Sequence, residues 1–478
     1  MTKPLVEAML EYWRDEVYPF HTPGHKGGNG LSEEMLSLLH HGGAIDVSLM
    51  DELDDLHNPS GVIAQAQKLA AKLYGSEACF WCVNGTTSAI QAMVLSVVQP
   101  GEKILVARNS HLSVFNALTL AGAEPVCVAP EYSRDFNIQT QVTAEAIRRV
   151  LDAQGDIKAV LITSPNYYGI CADVPAIADV CHERGIPLLV DEAHGAHLGF
   201  NDKLPKNALR GGADLVAQST HKVLGALTQA SMLHVQGKLV SAERVRDVVA
   251  LLTTTSPNYL LMASLDAARE QLAERGGAMM DVAIELARKL KDVCKLAGLR
   301  VLEPGDVGPF ELDVTRVLVN LDNTDLTGPQ LAALLRTNKV AVEMADARNV
   351  LFLVTYGDDN SRFYDALRTL RRVLTVTVRK HLLKTRKMLL QLRMPVAERK
   401  LSLREVFFSR KEKLALPWCV GKVAGEMVAF YPPGVPVLLP GEVITTGIVF
   451  YLETQKKLGL VVKGAEDSTL ETLRVVAE

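Results

Sequence analysis

Three short stretches place reactive side chains where an apolar run gives way to a turn or helix. Gln218–Gly225, QSTHKVLG, sets two hydroxyls and an imidazole directly before Lys222. A solvated surface side chain is the plain reading of a lone lysine, but Ser219, Thr220 and His221 are groups that suit an anion. Val83–Ile90, VNGTTSAI, ends its apolar run in Asn-Gly-Thr-Thr. Gly85 allows close backbone approach, and the free amides of a starting helix with the hydroxyls of Thr86 and Thr87 form an anion site. The simpler alternative there is an ordinary capped helix. Leu188–His197, LLVDEAHGAH, delivers Asp191 at the end of an apolar run, followed by His194 and His197. DEAH strings also occur in Walker-B segments, but that reading needs a GxxxxGK[ST] loop, and PGHKGG lacks the spacing. A zinc site from Asp191, His194 and His197 lacks the helical spacing of HExxH.

Lys222 follows Asp191 by about one helix and one strand. An anion cradle, a carboxylate at one strand end and a lysine at another are the parts pyridoxal 5'-phosphate requires. It needs a phosphate cup, an acid against its ring nitrogen and an amine for its aldehyde carbon. Each stretch alone is a weak signal; their order makes it specific.

Positioning them requires a sheet. From about residue 60 to 270, short apolar runs (EACFWCV, KILVA, EPVCVAP, KAVLITSP, IPLLVDE, DLVAQST) alternate with helical segments. That alternation predicts an α/β fold with a mainly parallel sheet covered on both faces, its ligands beyond the carboxyl ends of the strands. A long helical region over Met279–Leu296 precedes a second unit beginning near Arg300, built from VTRVLVNLD, LTGPQLAALLRTN, VAVEM and NVLFLVTYG. The basic stretch RRVLTVTVRKHLLKTRKMLLQL reads as a solvated helix face leading to a proline- and glycine-rich C-terminal part. The expected divisions are an N-terminal arm over 1–45, a large domain over 46–272, a small α/β domain over 273–375 and a C-terminal domain over 376–478.

The bulk numbers agree. The 478 residues are 48% hydrophobic and 22% charged, a folded rather than a disordered composition. A net charge of −4 gives no reason to expect nucleic acid or an anionic membrane as partner. The first twenty residues mix acids and bases, unlike a signal peptide, and no run reaches the ~18 apolar residues that span a bilayer. These features lead us to expect a cytoplasmic protein whose seven cysteines are reduced. CFWC has redox-motif spacing, but its apolar surroundings predict a buried strand.

Longer strings carry a resemblance. PFHTPGHKGG (19–28), DDLHNPSG (54–61), VNGTTSAIQA (83–92), SPNYYGI (164–170), VDEAHGAH (190–197), QSTHKVLGALTQASMLH (218–234), SPNYLLMASLDAAR (256–269) and YPPGVPVLLPGE (431–442) resemble the Orn/Lys/Arg decarboxylases. The match spans nearly the whole chain. It implies the aspartate-aminotransferase-like fold (fold type I): a mainly parallel seven-stranded sheet in the large domain, with smaller α+β C-terminal domains. It implies pyridoxal phosphate bonded by Lys222, with Asp191 at the pyridine nitrogen, His194 beside the ring and His111 stacked on its other face. Gly85, Thr86, Thr87, Ser219 and His221 would hold the phosphate. Ser256 and Glu426 would reach the pocket of this or a neighbouring subunit, in a homodimer or dimer of dimers with shared active sites.

The implied reaction is decarboxylation of a basic L-amino acid. Arginine to agmatine, a step of polyamine biosynthesis, stands ahead of lysine and ornithine because the chain resembles the short arginine-decarboxylase type. An aminotransferase or lyase is the remoter reading. A regulator that keeps only the fold would be expected to have lost Lys222 or the phosphate cup. Glu343, Asp346 and Glu426 are candidates for gripping a cationic side chain, or are ordinary surface or capping acids. Leu112, Asn166 and Gly425 depart from common family residues, and the last two bear on pocket shape. With about twenty residues before PGHKGG, no receiver-like N-terminal domain is expected, and a dimer or tetramer is expected rather than a decamer.

Overall fold

In the computed structural model, residues 14–47, 53–381, 394–431 and 434–477 are described. Strands form where short apolar runs are bounded by Gly, Pro or Asp. In chain order they are β1 (Tyr18–Phe20), β2 (Ala78–Cys82), β3 (Lys103–Ala107), β4 (Glu124–Val128), β5 (Ile157–Thr163), β6 (Leu188–Asp191), β7 (Leu215–Gln218) and β8 (Ser231–Val235). Strands β2 to β8 make one seven-stranded sheet in the order β2-β8-β7-β6-β5-β3-β4. Only β8 runs in the opposite direction to the other six strands.

Between the strands lie α1 (Val62–Tyr74), α2 (Gly85–Val97), α3 (Leu112–Ala121), α4 (Ala144–Ala153), α5 (Val174–His182) and α6 (Ala242–Leu252). Alternate strand residues serve opposite faces. Leu105, Val160, Ile162 and Val190 pack with α1, α4 and α5. Ile104, Val106, Leu161 and Leu189 pack with α2, α3 and α6. The same alternation sends Cys79 to one core and Cys82 to the other, so CFWC is core strand, as its surroundings predict. DDLHNPSG starts α1: the Asp54 carboxylate accepts amide protons from Ser60, Gly61, Ile63 and Ala64.

Helix α7 (Tyr259–Leu296) is longer than the expected helical region and runs through residues 272–273. Its 38 residues hold one non-helical position, Arg275. The following pair Gly276–Gly277 kinks the helix instead of ending it, because Leu272 and Phe200 pack closely there.

The small unit contains β9 (Arg316–Asn320), β10 (Val340–Val342) and β11 (Asn349–Leu353), covered by α8 (Gly328–Thr337) and α9 (Ser361–His381). The N-terminal β1 pairs with β10 in parallel register, Tyr18 opposite Val340. The C-terminal unit has its own apolar core, and its β12 (Val428–Tyr431) and β13 (Val435–Leu438) pair antiparallel beside α10 (Thr446–Lys457). Arg108 ties it to the large unit, donating to the carbonyls of Pro436 and Val437 and lying 3.5 Å from Glu442.

Candidate active site

The register of the large sheet sets Thr163, Asp191 and Ala217 side by side at its carboxyl edge. Asp191 ends β6 and is 2% exposed. Its Oδ1 accepts the Ala193 amide proton at 3.1 Å. Burial pushes its carboxyl above the usual range, against the opposing pull of Lys222. Lys222 sits in a single helical turn, Thr220–Val223, after β7. Burial pulls its amine below the ordinary lysine range, and its Nζ lies 3.0 Å from His194 Nε2. The N-terminal arm clamps this turn: Gly24 N–H donates to the His221 carbonyl. Gly225 packs so tightly that a Cβ there would stand 2.1 Å from the Gly30 carbonyl oxygen. The glycine of QSTHKVLG is thus a steric requirement.

Gly85 opens α2 with φ +69°. Thr86 Oγ1 bonds to Ser219 Oγ and, at 2.8 Å, to Ser231 Oγ, which joins the ends of α2, β7 and β8. His221 donates through Nδ1 to the Ala230 carbonyl at 3.0 Å, which leaves Nε2 as its acceptor nitrogen. His111 caps α3, its Nδ1 accepting from Ser113 N at 3.2 Å. Burial, helped by Lys222, holds His111 down at about 4. Burial also takes His221 to about 4 and His194 well below the ordinary imidazole range.

One cavity of about 510 Å³ brings together Lys222, Asp191, His111, His194, Gly85, Thr86, Thr87, Ser219, His221, Glu343 and Asp346. Glu343 accepts from the Tyr167 hydroxyl at 2.7 Å and the Thr22 amide at 2.8 Å. Asp346 accepts from the amides of Arg348 and Asn349 and from the Tyr168 hydroxyl. It therefore also caps the turn into β11. Phe430, Val435, Tyr451 and Gln455 bring the C-terminal unit to the cavity wall.

Two sequence candidates stand elsewhere. Ser256 is exposed on the loop before α7. Glu426 is buried in the C-terminal unit, where its oxygens accept from Arg474 N, Arg474 Nε and Glu466 N. Neither lines the cavity of its own chain.

Sequence reasoning did not single out Arg316 and Asp313. Arg316 is fully buried, with Nη2 3.1 Å from His194 Nδ1. Asp313 lies between Arg316 (3.7 Å) and His197 (3.1 Å). The available signal was an arginine opening the strand RVLVN directly before three apolar residues.

This geometry can be set against known proteins. The family model of the Orn/Lys/Arg decarboxylase major domain matches residues 3–309, and that of the C-terminal domain matches residues 383–467. An arginine decarboxylase of Halalkalibacterium halodurans is 38% identical over 99% of this chain and 98% of its own. One of Bacillus anthracis is 37% identical over 99% and 97%. The solved lysine decarboxylase LdcF of Francisella novicida has the same fold, with TM-score 0.79, 21% identity and coverage of 96% of this chain and 79% of its own. With the decarboxylase match carried through both domains and a lysine, an aspartate and a hydroxyl cradle meeting in one cavity, the chain belongs to the Orn/Lys/Arg decarboxylase family.

Proposed function

We propose that this cavity binds pyridoxal 5'-phosphate and decarboxylates L-arginine to agmatine. The observation that carries the reading is Lys222, half-buried with a lowered pKa in one cavity with Asp191 and two acidic side chains. The residues fit the cofactor. Thr87 and the amides opening α2 offer donors to a phosphate, with the hydroxyls of Thr86 and Ser219 beside them. Thr163 Oγ1, at the same sheet edge, is buried without a hydrogen-bond partner.

When bound, the cofactor supplies an electron sink for the pair released as CO2 leaves. Asp191 would hold a proton on the ring nitrogen of the bound cofactor, and that cation would offset the upward shift that burial gives its carboxyl. His111, uncharged at neutral pH, offers a flat face without a competing charge. Lys222 and His194, in contact at 3.0 Å, are the groups placed to return a proton to the substrate carbon. Glu343 and Asp346 are the carboxyl groups placed to receive a guanidinium. Arginine is favoured over lysine and ornithine by the two arginine decarboxylases that match almost end to end.

In this reading the enzyme is a homodimer or a dimer of dimers, and the exposed Ser256 is offered to the neighbouring subunit's cavity. It works in the cytoplasm, where its seven free cysteines persist as thiols. No helix among the described residues is long and apolar enough to cross a membrane.

The test is CO2 release from arginine, lysine and ornithine by the purified protein supplied with pyridoxal phosphate. Agmatine with arginine is the expected product; cadaverine or putrescine instead would reassign the substrate, and keto acid without CO2 would replace decarboxylation by transamination. Lys222→Ala is expected to abolish both turnover and borohydride-trapped cofactor. Full activity in that variant would end the assignment.

A further inference from the structure

His194 carries two contacts that together leave one arrangement of protons. Arg316 Nη2 lies 3.1 Å from its Nδ1 and 3.3 Å from its carbonyl oxygen. A guanidinium only donates, so Nδ1 is an acceptor and the imidazole proton resides on Nε2. That Nε2 is 3.0 Å from Lys222 Nζ. An N–H facing an ammonium would oppose two donors, whereas a neutral amine accepts through its lone pair. We propose that Arg316 is a positioning residue for Lys222: it fixes His194 as the Nε2–H tautomer, which holds the Lys222 amine neutral and aimed into the cavity. The inference rests on Lys222 being the residue that bonds the cofactor.

The surroundings hold Arg316 to this task. Gly169 leaves its stem room, since a Cβ there would stand 2.7 Å from Arg316 Cγ. Asp313 supplies the countercharge at 3.7 Å and is itself gripped by His197 at 3.1 Å and the Thr315 hydroxyl at 2.6 Å. Burial alone would raise the Asp313 carboxyl, yet His197, Arg316 and Thr315 hold it below the ordinary range, so the anion persists beside the guanidinium. Both histidines of DEAHGAH thus engage one ion pair, His194 through Arg316 and His197 through Asp313. Lys222 and Arg316 touch the His194 ring, the Tyr167 ring lies 4.6 Å away, and His111 and His221 act on it electrostatically. Burial comes first, and each of those basic groups adds to it in opposing a second proton on the imidazole.

The test uses the full chain stripped of cofactor. Pyridoxal phosphate is added across a pH series, and the rate of borohydride-trapped incorporation at Lys222 is measured. Arg316→Met is expected to shift the profile upward by about one pH unit, slowing incorporation near neutrality by about tenfold. Arg316→Lys, which keeps a donor, is expected to recover part of the loss. An unchanged profile in folded Arg316→Met overturns the proposal. Because that variant leaves Asp313 buried without its cation, a second measurement uses the unaltered chain. Nitrogen-15 NMR of histidine-labelled protein, with His194→Asn to identify the resonance, is expected to show Nε2 protonated and Nδ1 bare. The reverse tautomer overturns the proposal outright. Failure of the unaltered chain to incorporate any cofactor refutes the reading of Lys222 itself, a result separable from either of these.

Discussion

Glu192 follows Asp191 directly, and its side chain turns away from the cavity into the protein. Its Oε1 accepts the Ala208 amide proton at 2.7 Å, and its Oε2 lies 2.7 Å from Gln218 Nε2. Gln218 Oε1 has no hydrogen-bond partner. Burial raises the Glu192 carboxyl to about 8, against the lowering effect of those two donors. A protonated Glu192 donates to Gln218 once that amide is turned about, which satisfies the orphaned oxygen. A folded pKa above the unfolded value stabilises fully below about 4.5 and loses that contribution as pH rises through 8, because the unfolded chain releases a proton the folded chain keeps. Glu192→Gln keeps the shape and donates to Gln218 permanently. Urea unfolding is therefore expected to show equal stability at about pH 4 and a variant more stable by a few kcal/mol, to order of magnitude, at about pH 8. A constant difference across that range would show that Glu192 is not the titrating group. The sequence marked Asp191 because it ends an apolar strand. It held no sign of the state of Glu192, which depends on packing depth that neighbouring residue types do not encode.

At the scale of elements, the motif PGHKGG turns out to be a latch. Lys26 is buried and donates to the carbonyls of Pro19, His21 and Leu353, each at 2.9 Å, with Asp358 3.7 Å away. Asp358 also accepts from the Tyr18 hydroxyl at 2.7 Å. This one ammonium thus joins the arm to β11 of the small unit, while Gly24 of the same arm holds the Lys222 turn. Burial pulls the Lys26 pKa down and Asp358 opposes it. Lys26→Met would fill similar space but strand three carbonyls and a buried carboxyl. A loss of about 3 kcal/mol is expected in urea unfolding, with faster proteolytic cleavage of the arm. A variant within about 0.5 kcal/mol of the parent would show that the latch does not hold the arm. The strands were legible because their apolar runs are short and separated by amphipathic helices. Helix α7 was legible only in part, since Gly276–Gly277 reads as a break until Leu272 and Phe200 are seen packed against it.

At the scale of the whole molecule, the cavity is assembled from three units. The large sheet supplies Lys222, Asp191 and the hydroxyl cradle, the small unit supplies Glu343 and Asp346, and the C-terminal unit supplies Tyr451 and Gln455. The cradle could be read from sequence because each part sits at a strand-to-helix turn with its own composition. The acidic side could be named but not ranked against Glu426, because the three acids look alike until their partners are known. Glu426 is fully engaged by Arg474 and Glu466 N, and Asp346 by its turn, whereas Glu343 is oriented by two donors from separate elements. We therefore single out Glu343 for the cationic end of the substrate. Glu343→Gln retains both contacts, its amide oxygen accepting from Thr22 N and its amide donating to the Tyr167 hydroxyl. It removes only the charge. A partly desolvated ion pair to a guanidinium contributes about 1.5–3 kcal/mol, so KM for arginine is expected to rise roughly 10- to 100-fold while kcat stays within a few-fold. Steady-state kinetics with arginine decides it. An unchanged KM would move the guanidinium to Asp346, and a fall confined to kcat would place Glu343 with the reacting groups instead.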